Sequence, residues 1–350
     1  MGRDRTQGAL IAMALVSAGL LSCGGEPANE ICRIGEAPET GLRVTAGTDA
    51  YFYAHDANGR QLGYETLNRV LTLPPGDYYA VLNKTRRPVT IRSGSVTTCT
   101  AGDVRVAGTT NEYYYVLDTV GTQLAYQTVG QFLSLLPGPY AATLNATRTR
   151  LEVLPGDTTE LASGTLVVEG TTTEYYYVSD TLGTQLAYHE MGGPLGFFPG
   201  RYVVKVNNTT TNAEVDAGAA GVIRSGTMIV QGTTDQYYYV LDTTGTQLGY
   251  QQLGRSMAYL PGRYRVRVTS VDTAVSVQAG ESTQVATGTL LVSGTGSDYY
   301  YVDDAAGRQL HYANFGTPTA LLRGQYTVRV GGSRASATVT PGQTTTAPRP

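Results

Sequence analysis

The sequence predicts an all-β chain of five tandem 62-residue β-sandwich modules. Three observations carry that reading: a recurring tyrosine cluster, a turn chemistry that recurs with it, and a composition rich in Gly, Thr, Val and Tyr. The cluster runs Tyr51-Phe52-Tyr53-Ala54, Tyr113-Tyr114-Tyr115-Val116, Tyr175-Tyr176-Tyr177-Val178, Tyr237-Tyr238-Tyr239-Val240 and Tyr299-Tyr300-Tyr301-Val302, at a constant 62-residue step. Asp56, Asp118, Asp180, Asp242 and Asp304 keep the same interval, as do Gly76, Gly138, Gly200, Gly262 and Gly324. A fixed period without net insertion implies equal structural units. They fall at 41–102, 103–163, 164–225, 226–287 and 288–350, after a leader at 1–22 and a tether at 23–40. The competing architecture is a five-bladed propeller, for which a 62-residue repeat is long per blade.

The third copy shows why each element forms. Thr165 to Val168 and Tyr175 to Val178 are β-branched or aromatic runs and read as strands. Asp180-Thr181-Leu182-Gly183 is a turn, since Asp bonds backbone two residues on and Gly accepts positive φ. Gln185 to Tyr188 returns as the hairpin partner. Phe198-Pro199-Gly200 launches the strand Tyr202 to Val206, and another strand lies near Ala213 to Val215. A last strand around Val222 runs almost without linker into Thr227 to Val230 of the next copy, which implies a stiff junction. At about 30 Å per sandwich, five units would reach ~150 Å.

Alternation assigns faces. Tyr202, Val204 and Val206 face the core, and the Tyr202 hydroxyl is placed to bond nearby backbone as in a tyrosine corner. Tyr176 and Val178 also face inward. Tyr175 and Tyr177 then face out, with Tyr113, Tyr115, Tyr237 and Tyr239 in the flanking copies, and these six are the candidate binding residues. In Gln-Leu-x-Tyr, alternation puts Leu186 and Tyr188 inside and Ala187 outside, so that the outer tyrosines lie across a small residue.

The N-terminus reads as an export signal. Arg3 and Arg5 precede the apolar stretch Ala9 to Leu21, shorter than the about 20 residues a bilayer span needs. Leu20-Leu21-Ser22-Cys23 resembles a bacterial lipobox, in which Cys23 would be lipidated and hold the chain to a membrane. The expected location is the bacterial envelope, outer membrane or cell surface. Of three cysteines, Cys32 and Cys99 remain, and an oxidising compartment favours a disulfide between them over a metal site or free thiols.

Composition excludes several classes. The formal charge is −3, and removing residues 1–22 brings it to −4, which disfavours nucleic acid as a partner. His55, His189 and His311 occupy three different repeat positions, so no metal spacing recurs and no cofactor is implied. Neither a Gly-x-Ser-x-Gly motif nor a repeated acid/base pair is present, so an enzyme is not expected.

Val178, Asp180, Gly183, Pro199, Gly200, Tyr202 and Val204, with their counterparts, form a pattern that resembles PEGA domains and the larger Cna-B or carboxypeptidase-regulatory-like sandwiches. The resemblance covers most of 41–350 and implies extracellular stalks or adhesion modules without catalysis. Lys–Asn isopeptide links of some Cna-B domains do not carry over, because Lys84 and Lys205 are the only lysines. The expected function is a repeat stalk that binds or presents to a surface polysaccharide or protein, with a plain spacer as the alternative.

Overall fold

Apolar side chains at a period of two, interrupted every few residues by Gly, Asp or Asn, dictate short strands and tight turns. The computed structural model describes residues 31–294 and 299–350. Its first module holds β1 (Cys32–Glu36), β2 (Gly41–Thr45), β3 (Tyr51–His55), β4 (Gln61–Thr66), β5 (Val70–Thr72), β6 (Gly76–Leu82), β7 (Thr85–Ile91) and β8 (Ser95–Thr100). The second holds β9 (Gly102–Ala107), β10 (Tyr113–Leu117), β11 (Gln123–Thr128), β12 (Phe132–Leu135), β13 (Gly138–Leu144), β14 (Thr147–Val153) and β15 (Thr158–Ala162). The third holds β16 (Gly164–Glu169), β17 (Tyr175–Ser179), β18 (Gln185–Glu190), β19 (Leu195–Phe197), β20 (Gly200–Val206), β21 (Thr209–Val215) and β22 (Ala220–Arg224). The fourth and fifth follow the third, ending with strands Ser282–Ala286 and Thr344–Pro348.

Every module is a pair of facing sheets. In the third, a three-stranded sheet β19-β16-β22 covers a four-stranded sheet β18-β17-β20-β21. Within the smaller sheet β16 pairs antiparallel with β19 and parallel with β22. Two sheets per repeat, each pair with its own core, make tandem sandwiches and rule out the propeller, which would use one sheet per blade. The first module adds β1 antiparallel to β8, where Cys32 lies opposite Cys99 and is disulfide-bonded to it. Closing a sequence separation of 67 residues stabilises that module by about 4 kcal/mol in the chain-entropy picture.

The inward residues of β20 are those that alternation assigns: Tyr202, Val204 and Val206 are buried with Leu166, Val168, Tyr176 and Val178. The Tyr202 hydroxyl donates to the Phe198 carbonyl at 2.5 Å, closing the Pro-Gly turn. Tyr78, Tyr140, Tyr264 and Tyr326 make the same bond to the carbonyl four residues upstream.

Modules join through a single residue. β15 ends at Ala162, Ser163 follows, and β16 begins at Gly164, so one strand serves two sandwiches. The linker is buried, and its backbone spans the joint: Ser163 N–H donates to Ala107 of the second module, and its carbonyl accepts from Gly218 of the third. Gly164 admits the close approach that follows, since a Cβ there would sit 2.2 Å from the Asp216 carbonyl oxygen. Leu161 faces the second core, whereas Leu166 and Val168 face the third. Odd positions before the linker and even positions after it point inward, so successive cores lie on opposite faces of the shared strand, before its twist is added.

Thr158 lies level with Asp103, and Thr165 with Ala220, the counterpart of Thr158. One module therefore advances by seven residues of strand, at most roughly 23 Å, and five modules by roughly 115 Å. This is shorter than the ~150 Å expected from sandwich size alone, because neighbours interpenetrate. Leu136, Phe198, Leu260 and Leu322, each two residues before the turn glycine, pack into the core of the preceding module.

A polar clamp accompanies each plug. The β20–β21 hairpin turns at Asn207 (φ 42°) and Asn208 (φ 61°), two consecutive left-handed residues that give a turn of type I′. Asn207 Nδ2 donates to the Ala258 carbonyl of the fourth module at 2.9 Å, and Glu174 Oε2 accepts the Ala258 N–H at 2.6 Å. Asn207 Nδ2 also donates to Glu174 Oε1 at 2.9 Å, tying the two clamps together. Glu112 and Asn145 hold Gly196 in the same way, and Gln236 and Thr269 hold Ala320. Gln236 shows that the acceptor need not be charged. Replacing Glu174 with Gln and Asn207 with Thr, the pair that Gln236 and Thr269 form at the next junction, should accordingly preserve slow hydrogen exchange at the Ala258 amide. Glu174→Ala should expose that amide and lower the stability of the third and fourth modules by about 1–3 kcal/mol in denaturant titrations.

Candidate functional site

The surface that repeats is the outer face of the four-stranded sheets. On β17, Tyr176 is fully buried while Tyr175 and Tyr177 are 44% and 37% exposed. Tyr113, Tyr115, Tyr237 and Tyr239 are likewise exposed. The structure thus places all six candidate tyrosines on solvent-facing positions. Cys23 lies outside the described residues.

The partner strand corrects the expected faces. Tyr188 is 58% exposed, not buried, and its counterparts Tyr64, Tyr126, Tyr250 and Tyr312 are exposed as well. The reason is a β-bulge. Val178 pairs with Ala187 but Ser179 pairs with Gln185, leaving Leu186 as the extra residue that reverses alternation beyond it. Tyr188 then stands directly opposite Tyr177, on the same face. Ala187 turns inward opposite Val178, so the small residue does not lie beneath the outer rings. Its size answers to the core: at Gly249 a Cβ would meet the Tyr259 hydroxyl at 2.6 Å, and at Gly63 it would meet Leu71 Cδ1 at 3.1 Å.

Three tyrosines per module therefore form one ladder. Ring centroids of Tyr175 and Tyr177 lie 5.8 and 5.9 Å from that of Tyr188. The corresponding pairs are 5.6 and 6.0 Å around Tyr126, 5.9 and 6.0 Å around Tyr250, 5.5 and 6.2 Å around Tyr312, and 5.7 and 6.1 Å around Tyr64. Each contact is tilted or edge-on, a geometry worth about 0.5–1.5 kcal/mol beyond burial. The Tyr175 hydroxyl donates to Glu190 at 3.1 Å, and this acceptor raises its pKa. Beside the ladder, β20 and its counterparts present Lys205, Arg267 and Arg329 opposite Tyr177, Tyr239 and Tyr301, but Val81 and Thr143 opposite Tyr53 and Tyr115. The Arg329 guanidinium lies 4.6 Å from the Tyr301 ring centroid and is paired with Asp303.

The repeated aspartates are turn residues. Asp180 Oδ1 accepts the N–H groups of Leu182 and Thr184 at 2.9 and 2.8 Å, and the Thr184 backbone bond is the chief cause of its lowered pKa. Among the described residues no three His, Cys, Asp or Glu side chains gather as a metal site. No helix among them is long and apolar enough to cross a membrane.

No family model matches the chain, and no curated protein matches it in sequence. The PEGA or Cna-B resemblance accordingly stays a likeness in turn chemistry and core pattern. Among solved structures, the chain is similar to the TIE protein of Bacillus anthracis at 11% identity and a TM-score of 0.17, covering 74% of this chain and 75% of that one. The major pilin subunit BcpA of Bacillus cereus gives 9% identity and a TM-score of 0.15, over 71% and 98%. The pilus adhesin SpaC of Lactobacillus rhamnosus GG in its open conformation gives 9% and 0.15, over 91% of this chain and 43% of that one. At these TM-scores the likenesses carry no weight for fold or function.

The buried tyrosines should resist titration until the sandwiches open. Burial raises the pKa of Tyr114, Tyr176 and Tyr238, whose hydroxyls bond backbone carbonyls inside the sandwiches. An acid whose folded pKa is raised keeps its contribution to stability below the unfolded value of about 10 and loses it as pH climbs toward the folded one. Ultraviolet difference titration should show these three tyrosines ionising only above pH about 10, together with loss of β-sheet circular dichroism.

Proposed function

We propose that the chain is a non-catalytic, exported surface rod whose tyrosine ladders bind a repetitive partner, a surface polysaccharide before a protein. One observation carries the reading: the three ladder positions stay tyrosine in all five copies, although they face water and their outer neighbours vary. A core role places no such demand on an exposed position. Tyrosine offers a flat apolar face with a polar tip, suited to stacking on sugar rings, and five weak sites gain avidity on one polymer. The mutual packing of the rings favours a second reading, in which the ladders serve only as sheet scaffold. The two readings part on one measurement. Replacing Tyr175, Tyr177 and Tyr188 with Ser, together with their counterparts in the second and fourth modules, should weaken binding to exopolysaccharide fractions at least tenfold while the melting transition persists. If unfolding accounts for all of the loss, or the wild type binds no fraction, the scaffold reading prevails.

The export half of the proposal rests on the lipobox at Cys23 and on the bonded pair Cys32–Cys99, which suits an oxidising compartment. Metabolic palmitate labelling of the wild type should disappear in Cys23→Ala. Equal labelling of both would remove the lipid anchor.

A further inference from the structure

The first junction sets a turn lysine against aromatic surface, whereas the third, fourth and fifth modules carry their cations, Lys205, Arg267 and Arg329, on the strand beside the ladder. Tyr51 and Tyr53 of the first module and Tyr126 of the second line one cleft of about 680 Å³, with Gln61, Gln123 and Lys84 at its polar edge. Lys84 is the second residue of the β6–β7 turn, at φ 61°, and forms no salt bridge among the described residues. The same turn position holds Ala146, Asn208 and Ser270 at the later junctions. Across the sheet Tyr53 stands opposite Val81, and Val81 opposite Arg86, whose guanidinium lies 3.5 Å from the Tyr79 ring centroid. The nearby carboxylate of Asp56 is engaged by the N–H groups of Asn58 and Arg60. An ammonium group is thus left beside two aromatic walls and two amides.

We infer that this cleft is a subsite for a uronate-bearing segment of polysaccharide. The inference rests on the ladder reading above and adds the chemical class of the ligand. Sugar C–H faces stack on Tyr51, Tyr53 and Tyr126, hydroxyls meet the amides of Gln61 and Gln123, and the carboxylate pairs with Lys84.

Affinity electrophoresis of the full chain in gels containing polygalacturonate or dextran tests the assignment. Lys84→Asn keeps the turn, since Asn208 adopts the same φ of 61° at that position. It should weaken polygalacturonate binding about fivefold and leave dextran binding unchanged, with Lys84→Arg restoring the difference. Equal retardation by the two polymers, or an unchanged polygalacturonate affinity in Lys84→Asn, overturns the subsite. If the ladder variant loses both polymers while Lys84→Asn loses neither, the ladder reading stands and the uronate subsite falls. Binding of neither polymer by the wild type removes the subsite; the ladder reading is then decided by the exopolysaccharide fractions.

Discussion

The architecture depends on one constraint: a single strand belongs to two sandwiches, with one residue between its halves. That residue has no room to turn. Ser163 bonds backward through its N–H and forward through its carbonyl, both on the same side of the strand. Continuity of the strand then decides everything downstream. Because side chains alternate, the inward face must change between Leu161 and Leu166, and the next core forms on the other side. The flat end of one sandwich is thereby set against the edge of the next, where the residue before Pro-Gly can enter it. Phe198 fills the second core from the third module, and Leu260 fills the third from the fourth. Burying a Leu or Phe contributes on the order of 1.5–3 kcal/mol, and that energy is available only while both modules are folded. Stability is consequently shared between neighbours, as in other linear arrays.

The polar clamps follow from the same geometry. Plugging an edge strand into a neighbour buries the backbone of Gly196 or Ala258, whose N–H and carbonyl must then find partners. Glu112 with Asn145, and Glu174 with Asn207, supply an acceptor and a donor at each place. The first junction solves the problem differently. Ala50 stands where Glu112 would, and Ser134 is held instead by Thr48 and Asp103, while Asn83 keeps its bond to the Ser134 carbonyl. In the fifth module the hairpin turns at Gly331-Gly332, with no side chain for such a contact.

Much of this was legible before the structure. The 62-residue period, the all-β class, the direct passage from Val222 into Thr227 and the inward set Tyr202, Val204 and Val206 all follow from repetition and alternation. The Cys32–Cys99 bond follows from counting. The faces of Gln-Leu-x-Tyr did not follow, because alternation is a local rule and a bulge resets it: one unpaired residue, Leu186, turned Tyr188 outward. The signal was present in Asp180 to Gly183, whose hairpin chemistry is that of bulged loops. The clamps were hidden for another reason. Glu174 and Asn207 are 33 residues apart and meet a third segment 51 residues beyond Asn207, so only the assembled junction brings them together. Asn83-Lys84, Asn145-Ala146 and Asn207-Asn208 marked the turns, but not what the turns touch.

Tyrosine use separates structure from surface. The chain has 26 tyrosines and no tryptophan. Five close the turns at Gly76, Gly138, Gly200, Gly262 and Gly324, four fill cores at the repeat position that Phe52 holds in the first module, and fifteen form the ladders, with Tyr79 and Tyr259 remaining. The buried sets use the hydroxyl to satisfy a backbone carbonyl, a task phenylalanine cannot do. In the ladders the rings pack on one another, and the Tyr175 hydroxyl donates to a carboxylate, that of Glu190. Because successive cores change sides, these fifteen rings do not form one straight strip, although neighbouring ladders can share a cleft, as Tyr51 and Tyr53 do with Tyr126. A straight, rigid fibre could meet only some of them. A flexible polymer that winds about the rod, or several chains approaching from different sides, could meet them all. For a rod that binds through its ladders, as proposed, the arrangement suits flexible chains better than a flat, ordered surface.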